Sequence, residues 1–162
     1  MLGDNVRYDA EPKRYPELVQ FIKQHFEFIS VCPEVEIGLS VPRPPVQLTG
    51  SLTNIKVTGR DDASLDITDA MQTYCQQRPL QLDSIHGYIF KSRSPSCGVS
   101  DIPLFNSQNV IIAKTRGVFV SAILQHYPEL PIIDEQVLAD EQQRELFFTQ
   151  VKQFQLSNTQ NA

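Results

Sequence analysis

The sequence predicts an α/β protein built as a mostly parallel sheet flanked by helices. Three observations carry this expectation. Segments with apolar residues at helical spacing alternate with short apolar runs rich in β-formers. The 162 residues are 41% hydrophobic and 20% charged, enough to bury one core of ordinary size. Glycine is scarce at 7 and proline plentiful at 11, with Pro33, Pro42, Pro44 and Pro45 crowded together. Proline fixes φ and removes a donor, so that stretch reads as a long, stiff loop between elements.

The elements run in order along the chain. Leu18, Phe21, Ile22 and His25 or Phe26 recur at helical spacing behind Pro16, a good first-turn residue. Glu27 to Val31 reads as a buried strand. Gln47 to Val57 reads as a hairpin around Gly50-Ser51. Asp66 is the expected N-cap of a helix to about Arg78, with Asp69 as a weak capping-box acid. Ile85 to Lys91 is a second strand by its β-formers. Thr115 to Tyr127 is helical through Val118, Phe119, Ala122 and Ile123, and Pro128 lies beyond its end. Leu130 to Ile133 is a third short strand. Glu141 to Phe154 is a last amphipathic helix, apolar at Leu146, Phe147, Val151 and Phe154. The polar stretch Gln155 to Ala162 is expected to be a disordered tail. Helices between short apolar strands imply parallel connections, and in such folds the loops after strands carry the chemistry.

Composition narrows the function. There are 14 basic and 19 acidic side chains, a formal net charge of −5, which argues against holding duplex DNA by bulk positive charge. No apolar run approaches the roughly 18 residues needed to span a bilayer. No charged-then-apolar leader opens the chain. Three cysteines are too few and too odd a number for a disulfide scaffold and point to a reducing compartment. The expectation is a soluble cytoplasmic domain.

Two segments stand out for chemistry. Val31-Cys32-Pro33-Glu34 leaves the first expected strand, and Lys91 to Gly98 leaves the second. Cys32 and Cys97 would each sit at a strand end of one sheet, close enough to meet. Paired thiolates on rigid loops suit an iron–sulfur cluster or another soft metal, although ordinary buried cysteines account for the same spacing. Cys75 falls on or beside the apolar stripe of its helix with Ile67, Ala70, Met71 and Tyr74, and reads as packing. His25, His86 and His126 show no ligand spacing. Arg7, Arg43, Arg60, Lys91, Arg93, Lys114 and Arg116 fall in or beside the loops, which fits either an anion-binding face or solvated loop charge. Arg43, held between Pro42 and Pro44, is the most suggestive.

These residues match a known pattern. Leu2 to Asp9 resembles an "LGxxVRYDG" opening, with Ala10 in place of the glycine. Val31 to Leu39 and Val41-Pro42-Arg43-Pro44-Pro45 resemble a "CPE…GLxxPRPP" loop. Gly59-Arg60-Asp61 through Ile67-Thr68 is a looser likeness of "GxDVT", and Lys91 to Gly98 fits "KxxSPSCG" closely. From Leu2 to about Asp134 the chain resembles a widespread bacterial domain family whose characterised members include thiouracil desulfidase.

The resemblance implies a Rossmann-like domain holding a 4Fe-4S cluster by three cysteines, its fourth iron a Lewis acid toward a thiocarbonyl sulfur. By position, Cys32 and Cys97 would be two of the ligands. Glu34 is the candidate acid/base, and Ser94 and Ser96 the hydroxyls that orient substrate. Arg7, Arg43, Lys91 and Arg93 are the candidate substrate-binding cations. The family's first cysteine stands just before the leucine–glycine opening, where this chain has Met1. The third ligand and the first strand are therefore expected to be missing. The expected divisions are a desulfidase-like domain over 1–138, incomplete at its start, then a helix over 139–154 and a tail over 155–162. That helix is similar to the segment that links the domain to a second one in longer relatives. The expected partner is a small-molecule thiocarbonyl, with no duplex nucleic acid and no membrane. The competing expectation is a non-catalytic binding or accessory domain derived from such an enzyme.

Overall fold

The computed structural model describes residues 16–159. Its helices are α1 (Pro16–His25), α2 (Pro33–Glu36), α3 (Thr68–Gln77), α4 (Val118–His126) and α5 (Glu141–Thr159). Its strands are β1 (Val46–Ser51), β2 (Asn54–Gly59), β3 (Tyr88–Phe90), β4 (Ile102–Phe105), β5 (Ile111–Thr115) and β6 (Ile132–Asp134). A four-stranded sheet has the order β2-β1-β4-β5, and β3 and β6 form a separate pair.

The α/β class holds, but the sheet is mixed rather than mostly parallel. β1 runs parallel to β4, with Leu48 opposite Leu104, and β3 runs parallel to β6. The β1–β2 and β4–β5 pairings are antiparallel hairpins. The turn of the first hairpin is Leu52-Thr53, two residues after the Gly50-Ser51 expected. Gly50 instead lies inside β1 at φ +106°, where a Cβ would come within 2.3 Å of the Asn54 carbonyl oxygen.

The expected strand over Glu27–Val31 does not form. That segment is irregular, and Phe28 and Ile29 are exposed. A short apolar run cannot by itself tell a strand from a loop, and Pro33 turns the chain into α2. The second and third strands are shorter than expected, and α4 begins after Gly117 because Thr115 closes β5. The β4–β5 hairpin was not foreseen. α5 continues past Phe154 to Thr159, through much of the expected tail. The expectations for the Leu2 opening and Arg7 lie outside the described residues.

Three apolar clusters hold these layers together. Leu48, Val57, Ile102 and Leu104 of the larger sheet pack on Ile67 and Met71 at the start of α3. Phe90 meets Phe119, Val120 and Ile123 of α4, with Leu82 and Leu130. Phe147, Phe148 and Val151 of α5 pack on Ile22 of α1 and Ile133 of β6, so α5 belongs to the core. Burying each such side chain contributes roughly 1.5–3 kcal/mol. No helix among the described residues is long and apolar enough to cross a membrane.

Candidate active site

Cys32 is set by a short helix. Pro33 opens α2, and Cys32 stands before it in extended conformation at φ −131°. The Cys32 N–H donates to Glu36 Oε1 at 3.1 Å, and the Glu36 N–H returns to the Cys32 carbonyl at 2.9 Å. Glu36 Oε2 accepts from Tyr74 Oη and Arg78 Nε, both at 2.9 Å. The cysteine backbone is thereby tied to α3. Burial pushes the Cys32 thiol above its ordinary pKa, while the Val35 and Glu34 amides and the Arg43 charge work against it.

Cys97 is set by a tight loop. Ser94 Oγ accepts the N–H groups of Ser96 at 3.2 Å and Cys97 at 3.1 Å, and the Gly98 N–H donates to the Ser94 carbonyl at 2.7 Å. The same loop caps α4. Gly117, Val118 and Phe119 donate their N–H groups to the carbonyls of Gly98, Pro95 and Ser96 at 2.8, 3.1 and 2.9 Å. Amides that open a helix have no partner within it, and here the cysteine loop supplies their acceptors. The approach requires glycine: a Cβ on Gly117 would lie 2.5 Å from the Ser96 oxygen.

Glu34 joins the two loops. Arg43 closes on Glu34 Oε2 through Nε at 2.8 Å and Nη2 at 2.7 Å, a pair with side chains 4% and 11% exposed. Ser96 Oγ donates to the other oxygen, Oε1, at 3.0 Å. Burial raises the Cys97 thiol pKa well above the ordinary value, and the charges of Glu34 and Cys32 raise it further. The Glu34–Ser96 contact thus joins the Cys32 and Cys97 loops, although a strand end carries only one of them. Arg43 Nη1 is buried without a hydrogen-bond partner.

The other predicted cations do not gather here. Lys91 Nζ pairs with Glu135 Oε1. Arg93 is exposed at φ +59°. Arg60 pairs with Asp61 at 3.0 Å and Lys114 with Asp101 at 3.6 Å, both at the surface. Cys75 packs among apolar neighbours on α3, and burial pushes its thiol up to about 12. Glu36 and Glu135 were missed by sequence reasoning. Glu135 stands two residues beyond Ile133, the end of the last expected strand, and no local motif marks it.

Two half-buried cysteines on loops joined by the Glu34–Ser96 contact suit the soft donors an iron–sulfur group needs. They supply two donors, and no group of three or more His, Cys, Asp or Glu among the described residues is arranged to hold a metal ion. The donor type fits the cluster, and a third donor has to come from beyond this pair.

No curated protein matches the chain. A solved structure, the 4Fe-4S-dependent thiouracil desulfidase TudS, is similar to it with a TM-score of 0.60 and 25% identity, covering 85% of this chain and 87% of that one. The pattern of the 2-thiouracil desulfurase family matches residues 1–135, which takes in both cysteine loops and ends on Glu135. A match over most of the 162 residues places the chain in that family: it belongs to the 2-thiouracil desulfurases.

Proposed function

We propose that the chain removes sulfur from a thiolated nucleobase or a similar thiocarbonyl, with a 4Fe-4S cluster held by Cys32, Cys97 and a third donor. The observation that carries this reading is the Ser96–Glu34 hydrogen bond at 3.0 Å, which brings the two cysteine loops to one place. When bound, the cluster would supply an open iron as a Lewis acid toward sulfur.

The chain's own residues supply the proton chemistry. Replacing C=S by C=O consumes one water and releases one sulfide, so both water protons must leave the oxygen. Arg43 occupies Glu34 Oε2 with two donors and fixes the carboxylate plane. Among the described residues Oε1 accepts only the Ser96 hydroxyl, which leaves it room to take a proton from the attacking water. Ser96 holds Oε1 beside the Cys97 loop. Ser94, whose hydroxyl oxygen accepts two amides, shapes the loop that presents Cys97. Arg43 acts through Glu34, and Lys91 is committed to Glu135.

Anaerobic reconstitution with iron and sulfide tests this. The protein should turn brown with the broad visible absorption of a 4Fe-4S cluster and release sulfide from 2-thiouracil, and Cys32→Ser and Cys97→Ser should abolish both. A protein that stays colourless, or colour that survives both substitutions, overturns the reading in favour of a non-catalytic binding domain.

A further inference from the structure

The desulfidase chemistry leaves one buried ionised group unused. Glu135 is fully buried and stands directly after β6, beside the end of β3, where Phe90 pairs with Asp134. Its Oε2 accepts the Ser92 N–H at 2.7 Å, and its Oε1 accepts the Ser92 hydroxyl at 2.8 Å. Lys91 Nζ donates to the same Oε1, and also reaches the Ser92 carbonyl and hydroxyl oxygens at 3.3 Å. A carboxylate taken wholly out of water is costly unless it is paired and hydrogen-bonded. Here every donor comes from two consecutive residues at the root of the cysteine loop.

Directly beyond Ser92 the chain kinks. Arg93 adopts φ +59°, a region that residues with a side chain seldom occupy and that persists only where the surroundings impose it. With Ser92 held by both its N–H and its hydroxyl, the kink at Arg93 returns the chain so that Ser94 Oγ meets the Ser96 and Cys97 amides. A continuous line of contacts runs from Glu135 through Ser92 and the kink to the backbone of Cys97.

We propose that Glu135 is a positioning residue for Cys97, fixing the first turn of the 91–98 loop and so the direction of the thiol. This deepens the desulfidase reading, in which Cys97 is a cluster ligand, but its test needs neither cluster nor turnover. The full chain, as purified without added iron, is labelled with iodoacetamide, and the rates at Cys32, Cys75 and Cys97 are followed by mass spectrometry. Hydrogen exchange of the 91–98 peptide is read in parallel.

Glu135→Ala should speed Cys97 labelling about tenfold relative to Cys75, the loss expected when charge-assisted hydrogen bonds go. Glu135→Gln, which keeps an acceptor for the Ser92 N–H, should fall between the two, and Ser92→Ala should shift the rate a little in the same direction. Exchange should rise in 91–98 and not in α3. If Glu135→Ala fails to fold, Glu135→Gln and Ser92→Ala carry the test. Cys97 labelling that is unchanged, or that rises only in step with Cys75, overturns the proposal. A wild-type protein that binds no cluster would sink the desulfidase reading and leave this result standing.

Discussion

Replacing Gly117 by alanine would put a methyl group where the fold places the backbone of the Cys97 loop. The new Cβ would lie 2.5 Å from the Ser96 carbonyl oxygen, 2.6 Å from its carbon and 2.8 Å from the Cys97 nitrogen. Ordinary contact begins near 3.4 Å, so the loop or the start of α4 must move by about 0.9 Å. All three atoms are backbone, and no side chain can swing away to relieve the clash. The Gly117 backbone, at φ −60° and ψ 148°, is open to alanine, so the effect is steric and not conformational. Alanine stiffens the unfolded chain and thereby stabilises by about 0.4–1 kcal/mol. Overpacking of this kind costs about 1–3 kcal/mol. Three hydrogen bonds between α4 and the loop are stretched as well. The net expectation is a loss of about 1–2 kcal/mol, which in a chain of this length lowers Tm by roughly 2–8 °C. Urea and thermal unfolding measure the loss, and iron bound per chain after reconstitution measures the displacement of Cys97. Both should fall together. An alanine variant as stable as wild type, with full iron content, would refute the claim that the cysteine loop rests on the opening of α4.

Three further outcomes are expected from the geometry. Arg43→Met strands the buried Glu34 carboxylate and should cost about 3–5 kcal/mol in urea unfolding, while Glu34→Gln combined with Arg43→Met should recover most of it. Burial raises the Glu135 pKa, but the bonds from Lys91 and Ser92 outweigh it and hold the carboxyl below the ordinary glutamate value. A folded pKa lowered in this way gives stability that is complete above the unfolded value of about 4.3 and is lost as pH falls through the folded value. Glu135→Gln should therefore flatten the acid limb of the stability profile, and a limb equally steep in both proteins would count against the Lys91–Glu135 pair. Cys75→Ala should bind as much iron as wild type, since that side chain packs on α3 against two apolar clusters; iron lost on this substitution would make Cys75 a ligand.

The longer helices were legible because each repeats its apolar residues at the helical period over several turns, whereas the four-residue α2 lies in the stretch read as a stiff loop. Phe119 and Ile123, or Phe147 and Val151, are buried where that spacing puts them. The strands were harder to read. Glu27 to Val31 has the composition of a strand but stays irregular, whereas the real strand β4 carries Pro103 and β5 leaves Ile111 and Ile112 exposed. Pairing makes a strand, and pairing depends on residues far away in sequence. The site shows the same division. Cys32, Glu34, Arg43, Ser96 and Cys97 were visible as local motifs, because proline and glycine beside them mark special backbone. Glu36 and Glu135 were not, because their partners Tyr74, Arg78 and Ser92 are 38, 42 and 43 positions away.

The partners those carboxylates take also change what the loop cations mean. Read along the sequence, Arg43 and Lys91 suggest a positive face awaiting an anion. In the fold Arg43 is bound to Glu34 and Lys91 to Glu135, while Arg78 is bound to Glu36. Pairs of this kind add little net stability, because desolvation offsets most of the attraction. What they add is direction. A carboxylate gripped by a guanidinium or an ammonium can point only one way, and each of the three also touches a cysteine loop: Glu36 at the Cys32 amide, Glu34 at Ser96 and Glu135 at Ser92. The basic residues nearest the thiols therefore serve the site through the acids they orient. A protein with a formal charge of −5 can do this without presenting a positive surface at all.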